Sequence, residues 1–232
     1  DRFYNCLFTD DTSIYSGAVF TNCISQLDPL FTDDTLRVSK NSPVIDAGST
    51  SLWMSNSNNV TTDIEGDFRI QSIIDIGAYE TSMRVSMNGV KYEWIEDAFS
   101  EAAEGAIIEV IVPTYPMSQQ IDWPNIDNIT LRAGPGLNSS NCVFEPVTTN
   151  LCRFASINHA VSLSIENVTI QNFGGDSFEQ DGGVFWLGGG VYLNIQSSRI
   201  SGNKIKNDPG DSRGVYYTTK SPTIKLTNVW LK

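Results

Sequence analysis

A six-residue frame of apolar, polar, Asn, apolar, polar and apolar residues recurs along this chain and constrains its fold more than any other feature. It reads Phe3–Phe8, Ile126–Leu131, Ile165–Ile170 and Leu226–Leu231, and more loosely from Phe20 to Cys23. Residues Ile195–Ile200 keep the apolar positions but carry Ser197 in place of Asn. The later frames lie 39, 30 and 31 residues apart, and the first two lie 17 apart. Strand-like units that repeat at such periods predict a solenoid.

A short strand of this kind buries only one face, so it is stable only when a copy of itself stacks on it. Asn suits the third position because it tolerates the left-handed backbone of a tight corner, and because its amide can hydrogen-bond to the same amide one turn away. We therefore predict a structural ladder made of Asn5, Asn22, Asn128, Asn167 and Asn228. The alternative, that Asn merely marks turns, leaves its fixed phase relative to the apolar positions unexplained.

The charge of the chain argues against polyanionic partners. Its 232 residues include 27 acidic and 15 basic ones, which gives a formal net charge of -12. Nucleic acid and acidic membrane surfaces would be repelled over most of the molecule, so we expect neither as a partner. The sequence contains no run of about twenty apolar residues, which is the length that a membrane-spanning helix needs. Charged residues make up only 18%, and a surface of Ser, Thr, Asn and Gly favours an extracellular or cell-surface setting.

The four cysteines form two local pairs. Cys6 and Cys23 hold the same place in adjacent frames, so stacking brings them together either as a disulfide or as packed thiols. Cys142 and Cys152 flank a loop-like stretch that a disulfide could constrain in an oxidising compartment. Their spacings do not match a zinc site.

Four short motifs then follow in order within the first third of the chain. They are Asp28–Phe31, Ser42–Gly48, Asp63–Arg69 and Asp75–Glu80. Together they resemble the closing region of the right-handed parallel β-helix proteins, the pectin-lyase-like surface proteins. The resemblance implies that residues 1–82 are the C-terminal rungs and closing region of a β-helix, in which the Asp and Gly residues hold turns.

Residues 83–232 resemble the opposite end of such a β-helix. An apolar stripe of Trp94, Ala98, Phe99 and Ala102 predicts an amphipathic helix near residues 92–104, with Gly105 as its stop. A strand and a Pro-x-Tyr turn follow, as at the start of a β-helix, where the helix covers the open end of the solenoid. The glycine-rich stretches Gly182–Phe185 and Gly188–Tyr192 are similar to repeats of polymorphic outer-membrane adhesins.

The chain thus runs from an end region to a start region, and it opens inside a frame, as if a leader or a preceding region were missing. Two explanations remain open. The chain is either an internal piece of a protein with tandem β-helices, or a subunit with open first and last rungs. In the second case, head-to-tail stacking of copies makes a filament, because such a contact does not close.

An enzyme of the lyase or polygalacturonase type requires converging carboxylates with a base, or a calcium site. The polygalacturonase patterns are absent as a group, and His159 has no nucleophile motif around it. The acidic doublets Asp10–Asp11 and Asp33–Asp34 are best interpreted as solvated corners. We therefore expect no catalytic residues.

Calcium is the one cofactor that the sequence leaves open. Asp63, Glu65 and Asp67 alternate around a glycine and are weak calcium candidates, as are Asp208 and Asp211. Neither set follows a full EF-hand pattern. The bland alternative for the first set is a structural Asp–Arg pair that involves Arg69.

Aromatic residues and glycosylation sequons are the remaining candidates for binding and modification sites. The last rungs carry Trp186, Tyr192, Tyr216, Tyr217 and Trp230, which would suit sugar rings or a protein partner unless alternate members are core. Sequons occur at four asparagines. We expect Asn128 and Asn167 to be buried in the ladder, which leaves Asn59 and Asn138 as possible glycosylation sites in a source that glycosylates.

These observations predict an all-β protein, a right-handed parallel β-helix (solenoid) in two parts with a short capping helix. The expected function is an extracellular structural or adhesive one, as a fibre subunit that assembles head-to-tail or as a module of a large surface protein. The alternative is a polysaccharide lyase or hydrolase, or a carbohydrate-binding β-helix.

Overall fold

The structure is a computed structural model that describes residues 1–8, 11–32, 36–39, 41–56, 60–64, 69–70, 73–148, 152–174, 183–203, 216–218 and 221–232, with the backbone alone at residues 14 and 216–218. The chain divides into two compact units, Asp1–Ser82 and Met83–Lys232. They are called the N-terminal unit and the C-terminal unit below. Stacked parallel strands dominate the described residues, so the protein is a mostly β parallel solenoid. In these residues no helix has the length and apolar character needed to cross a membrane.

The N-terminal unit begins with two short turns of solenoid. Strand β1 (Arg2–Tyr4) pairs in parallel with β3 (Val19–Thr21), and β2 (Leu7–Phe8) pairs in parallel with β4 (Ile24–Ser25). The turns are connected by a 3-10 helix over Thr12–Ile14. Four aromatic rings lie between the strands with centroids 5.1 to 6.3 Å apart, and they belong to Phe3, Phe8, Tyr15 and Phe20. These rings provide the apolar contact that the two-residue strands cannot provide alone.

A helix, α1 (Thr50–Asn56), lies between the second and third closing motifs. Ser and Asn have weak helix propensity, and the contacts that stabilise α1 come from outside its sequence. Ser49 lies at its start and accepts the Leu52 N–H with its hydroxyl oxygen at 3.4 Å. The ring of Trp53 packs under the guanidinium of Arg69, with the centroid 4.9 Å away.

The closing motifs of the N-terminal unit meet each other through backbone hydrogen bonds. Ile76 N–H donates to the Val44 carbonyl at 2.9 Å, and Gly48 N–H donates to the Ile74 carbonyl at 2.7 Å. The carboxylate of Asp75 accepts the Asp46 N–H at 2.7 Å and the Thr81 N–H at 2.6 Å. The side chain of Asp75 therefore holds two turns, which is the role that the β-helix resemblance implies for an Asp in this segment.

The C-terminal unit begins with a hairpin and a helix. Strands β5 (Val85–Met87) and β6 (Val90–Tyr92) are antiparallel, and α2 (Ile95–Glu101) follows. The helix lies inside the predicted range of 92–104 but is shorter, since Tyr92 belongs to β6 and Ala102 is the C-cap. It buries Ile95, Ala98 and Phe99, while Trp94 precedes it as the N-cap.

Three sheets of parallel strands then build the solenoid. In the described residues, sheet 1 adds to β5 and β6 the strands β7 (Ile107–Val110), β10 (Ile129–Ala133), β13 (Ser162–Glu166), β16 (Tyr192–Gln196) and β19 (Thr223–Thr227). Sheet 2 contains β8 (Thr114–Met117), β11 (Val143–Pro146), β14 (Thr169–Gln171), β17 (Arg199–Ser201) and β20 (Trp230–Leu231). Sheet 3 contains β9 (Ile121–Asp122), β12 (Ala155–Ile157), β15 (Phe185–Leu187) and β18 (Tyr216–Thr218).

The register of the sheets stacks apolar residues directly on one another. In sheet 1, Leu131 pairs with Ile165, Ile165 with Ile195, and Ile195 with Leu226. In sheet 2, Phe144 pairs with Ile170 and Ile170 with Ile200. Because side chains alternate between the two faces of a strand, the neighbours of these residues lie on the opposite face, and all of them except Val143 are polar. The result is a continuous core along the inside of the solenoid.

Glycine is required where successive turns approach closely, as at Gly188 and Gly190. A Cβ atom on Gly188 would lie 3.1 Å from the Asn158 carbonyl oxygen of the preceding turn. A Cβ on Gly190, which has a φ of +79°, would lie 2.8 Å from the Cβ of Ala160. Larger residues at these positions would push the turns apart.

Candidate functional site

The frame asparagines occupy left-handed corners. Asn5, Asn22, Asn128, Asn167 and Asn228 have φ between 50° and 62°, and Ser197 has a φ of 51°. A left-handed backbone is unfavourable for most L-residues, and Asn is among the few that adopt it often. The position of Asn in the frame therefore has a backbone cause, and Ser197 occupies an equivalent corner that the Asn pattern alone does not mark.

An amide ladder is present in the N-terminal unit. Nδ2 of Asn22 donates to Oδ1 of Asn5 at 2.8 Å, across the two turns. Asn5 is buried, and its amide also accepts the Ser49 N–H at 2.8 Å and donates to the Ser49 carbonyl at 3.1 Å. The pair therefore joins the first turns to the segment before α1.

In the C-terminal unit the stacked corner consists of Asn167, Ser197 and Asn228. The N–H of Asn167 donates to the Gln196 carbonyl at 3.1 Å, and the N–H of Ser197 donates to the Thr227 carbonyl at 2.9 Å. Each corner N–H thus donates to the carbonyl of the residue that precedes the corner of the next turn. The same rule holds in the N-terminal unit, where the Asn5 N–H donates to the Thr21 carbonyl at 3.3 Å.

Asn128 does not belong to this column, and its inclusion in the ladder is wrong. It precedes β10, whereas Asn167 follows β13, and the register pairs Leu131 with Ile165. Its N–H donates to the Ser162 carbonyl at 2.7 Å, and its Nδ2 donates to Oε1 of Glu104 at 3.2 Å. The motif is the same because both corners need a left-handed residue beside a buried strand, so six residues alone do not distinguish the corner before a strand from the one after it.

The predicted burial of two sequons is also wrong. Asn128 and Asn167 are exposed. Asn138 is exposed, and its Oδ1 accepts the Ser140 N–H at 2.9 Å. Asn59 lies outside the described residues. On exposure alone, three of the four sequons are therefore accessible to a modifying enzyme.

All four cysteines are free thiols in this structure. Cys6 and Cys23 lie near each other on stacked turns, and burial raises the pKa of Cys6, with a further contribution from Cys23. Burial raises the pKa of Cys142 to about 12 and that of Cys152 to about 11. Both buried groups are therefore neutral thiols at physiological pH and contribute apolar packing rather than reactivity.

The acidic candidates lie apart or outside the described residues. Oδ2 of Asp63 accepts the Glu80 N–H at 3.0 Å, a structural contact. Glu65, Asp67, Asp10, Asp33, Asp34, Asp208 and Asp211 are outside the described residues. The side chain of Asp11 accepts the Ser13 N–H at 2.9 Å and caps the 3-10 helix. Within the described ranges, His, Cys, Asp and Glu side chains form no group that could hold a metal ion.

The aromatic side chains that the sequence suggests for ligand binding differ in exposure. Trp230 is 50% exposed and Tyr192 is 40% exposed, whereas Trp186 is half-buried. The side chains of Tyr216 and Tyr217 are not described. Trp230 pairs with the exposed Arg199 of the preceding turn, so it lies on the outward face of sheet 2.

In the edge strands β19 and β20, residues are exposed at positions whose equivalents in the preceding turn are buried in the core. Leu226 is 47% and Leu231 is 52% exposed, whereas Ile195 and Ile200, one turn earlier, are 1% and 3% exposed. The inward positions of this turn therefore present an apolar surface beside unpaired strand edges. Such a surface is suited to stacking of a further turn.

A cleft of about 300 Å³ lies beside α2 and was not indicated by the sequence. Its walls include Trp94, Glu96 and Gln119, and its floor includes Tyr115. Burial raises the pKa of Glu96, and the neighbouring carboxylates Asp97 and Asp122 raise it further. The Tyr115 hydroxyl accepts the Ile95 N–H at 2.9 Å and so holds the start of α2 on the solenoid.

Comparison of the chain with protein-family models, curated proteins and solved structures found no match.

Proposed function

We propose that this chain is an extracellular structural protein that extends a rod by stacking solenoid turns from copy to copy. In this proposal, the edge at Leu226–Leu231 of one copy receives the frame Phe3–Phe8 of the next. The chemistry required is burial of apolar surface and completion of backbone hydrogen bonds, without a catalytic group. The contact is heterologous and does not close, so it generates a filament.

The observation that carries the proposal is the exposure of Leu226 and Leu231 at positions whose counterparts one turn earlier are buried. Burying a Leu side chain stabilises an association by about 1.5–3 kcal/mol. A further turn would cover both residues and pair the open edges of β19 and β20.

The corner rule specifies the register of the contact. The N–H of Asn228 is expected to donate to the Tyr4 carbonyl of the next copy, as the N–H of Ser197 donates to the Thr227 carbonyl. In this register Phe3 stacks on Leu226 and Phe8 stacks on Leu231. The amide of Asn5 then lies over that of Asn228, as the amide of Asn22 lies over that of Asn5.

A location outside the cell is supported by the surface composition and by the β-helix resemblance. Charged residues are only 18% of the chain, and neutral polar residues occupy the outward positions of sheet 1, such as Thr130, Ser164 and Asn194. Such neutral polar groups help to keep the outer face of a repetitive protein soluble.

Sedimentation over a range of protein concentrations tests the proposal. We expect the weight-average mass to rise with concentration and rods to appear in negative-stain images. Leu226→Lys places a charge on the stacking surface and should keep the protein monomeric, whereas Thr227→Lys, on the outward side of the same strand, should not. A wild-type protein that stays monomeric throughout contradicts the proposal and favours a module whose next turn comes from another segment.

A second candidate, carbohydrate binding, is supported by the cleft beside α2. Trp94 offers the aromatic surface that the guanidinium of Arg84, 4.0 Å from the ring centroid, leaves uncovered. Glu96 and Gln119 offer groups that can hydrogen-bond to hydroxyls. Because its charged groups are acidic, the cleft favours neutral over acidic sugars. Neutral oligosaccharides should perturb the Trp94 indole NMR signal, and Glu96→Gln should weaken that effect. No perturbation by any neutral sugar would remove this candidate.

A further inference from the structure

The N-terminal unit contains a cavity of about 530 Å³ that no solenoid function requires. Apolar and aromatic side chains make most of its wall, among them Leu7, Val38, Trp53 and Tyr79. Leu36 also lines it and is 58% exposed, which places this residue at the mouth. A cavity of this size and lining suits a small molecule with a hydrocarbon or aromatic body.

Two charged residues, Arg69 and Asp75, contribute to this apolar wall. Arg69 lines the cavity and is only 3% exposed. Its Nη2 donates to the carbonyls of Asp75 and Gly77. Its Nε and Nη1 are buried and have no hydrogen-bond partner. A guanidinium has five N–H groups, so three remain without an acceptor, which is unfavourable for a buried ion.

The neighbouring carboxyl groups do not supply the missing acceptors. Asp75 uses its two oxygens on the N–H groups of Asp46 and Thr81. Oε2 of Glu80 accepts the Asp75 N–H at 3.1 Å and lies 3.7 Å from Nη1 of Arg69, beyond hydrogen-bond distance. Burial raises the pKa of Glu80 to about 8, so this group is mostly neutral at pH 7 and leaves the positive charge of Arg69 incompletely balanced.

We propose that this cavity binds an apolar carboxylate, whose body lies among the aromatic and aliphatic side chains and whose carboxylate accepts hydrogen bonds from Arg69. A small shift of the Arg69 side chain toward the cavity brings its free N–H groups to the ligand. The ligand class follows from charge and acceptor count: a neutral alcohol offers an acceptor but no negative charge, and an ammonium offers no acceptor, whereas a carboxylate offers two acceptor oxygens and the charge.

Three probes of equal chain length separate the carboxylate from the hydrocarbon. Decanoate, decanol and decylamine are titrated into the full chain by isothermal calorimetry at pH 7. We expect decanoate to bind about tenfold more tightly than decanol, and decylamine to bind most weakly. Equal affinity for the three probes, or no binding of decanoate, would overturn the proposal.

Two surface variants locate the binding without disturbing the core. Leu36→Glu places a negative charge at the mouth and should weaken decanoate binding by about tenfold. Leu27→Glu changes another residue that is 50% exposed and does not line the cavity, so it should leave the affinity unchanged. Arg69→Met should abolish the preference for decanoate over decanol. A Leu36→Glu protein that binds decanoate as the wild type does would contradict the assignment, whether or not the Arg69 variant folds.

Discussion

At each left-handed corner, one residue adopts a backbone conformation that is unfavourable for most L-residues. Asn167 has a φ of 58° and is exposed, so its contribution comes from its backbone rather than from packing. Asn167→Ala should lower the free energy of unfolding by about 1 kcal/mol, whereas Asn167→Gly should change it little, because glycine adopts this conformation without strain. Chemical denaturation measures both. Asn125→Ala, at an exposed Asn without a positive φ, is the control and should be neutral.

Glu80 makes the stability of the N-terminal unit depend on pH. Burial raises its pKa from 4.5 to about 8, so between these values the folded state holds a proton that the unfolded state has lost. Stability should therefore fall as pH rises from about 4.5 to about 8. Glu80→Gln removes this titration while keeping an oxygen for the Asp75 N–H.

The melting temperature of Glu80→Gln relative to wild type should therefore increase between pH 5 and pH 9. A constant difference across that range would show that Glu80 titrates normally in the folded protein.

For single residues, the sequence predicts which ones adopt the left-handed corner conformation, but it does not always predict whether the corner lies before or after a strand. The apolar positions identify Asn167 and Asn228 correctly because Ile165 and Leu226 do occupy one column. Asn128 follows the same six-letter pattern from the other side of a strand. The sequence does not indicate that Arg69 lines a cavity, because residues far from it along the chain, such as Leu7 and Val38, form the wall with it.

At the level of elements, α2 is held on the solenoid by a tyrosine from another strand. The Tyr115 hydroxyl, on β8, accepts the Ile95 N–H at the first turn of α2. Tyr115→Phe leaves that buried N–H without an acceptor and should cost about 1–3 kcal/mol of unfolding free energy. Hydrogen exchange of the Ile95 amide should speed up as well. Tyr192→Phe removes a hydroxyl from a residue that is 40% exposed and should change neither quantity.

The two helices differ in whether a sequence pattern predicts them. The apolar stripe predicts α2 because Ile95, Ala98 and Phe99 are buried at the i, i+3 and i+4 positions of one helix face. By contrast, α1 has no buried residue, so no periodicity marks it. It depends on Ser49 and on the contact between Trp53 and Arg69, which only the folded chain brings together.

At the scale of the whole molecule, net charge opposes the proposed stacking of copies. Each chain carries a formal charge of -12 and repels its neighbours at low ionic strength. The screening length falls from about 30 Å at 0.01 M salt to about 8 Å at 0.15 M. The weight-average mass in sedimentation should therefore rise with added salt at a fixed protein concentration. A mass that falls with salt would indicate association through ion pairs instead.

The central claim is that the frames stack in parallel and in register, and methyl–methyl NOEs in a protein labelled at Ile and Leu test it most directly. The structure predicts NOEs between Leu163 and Leu193, between Ile165 and Ile195, and between Ile195 and Leu226. An antiparallel sheet would instead pair Leu163 with Ile195 and Ile165 with Leu193. Observation of that second set in place of the first would contradict the solenoid and the functions inferred from it.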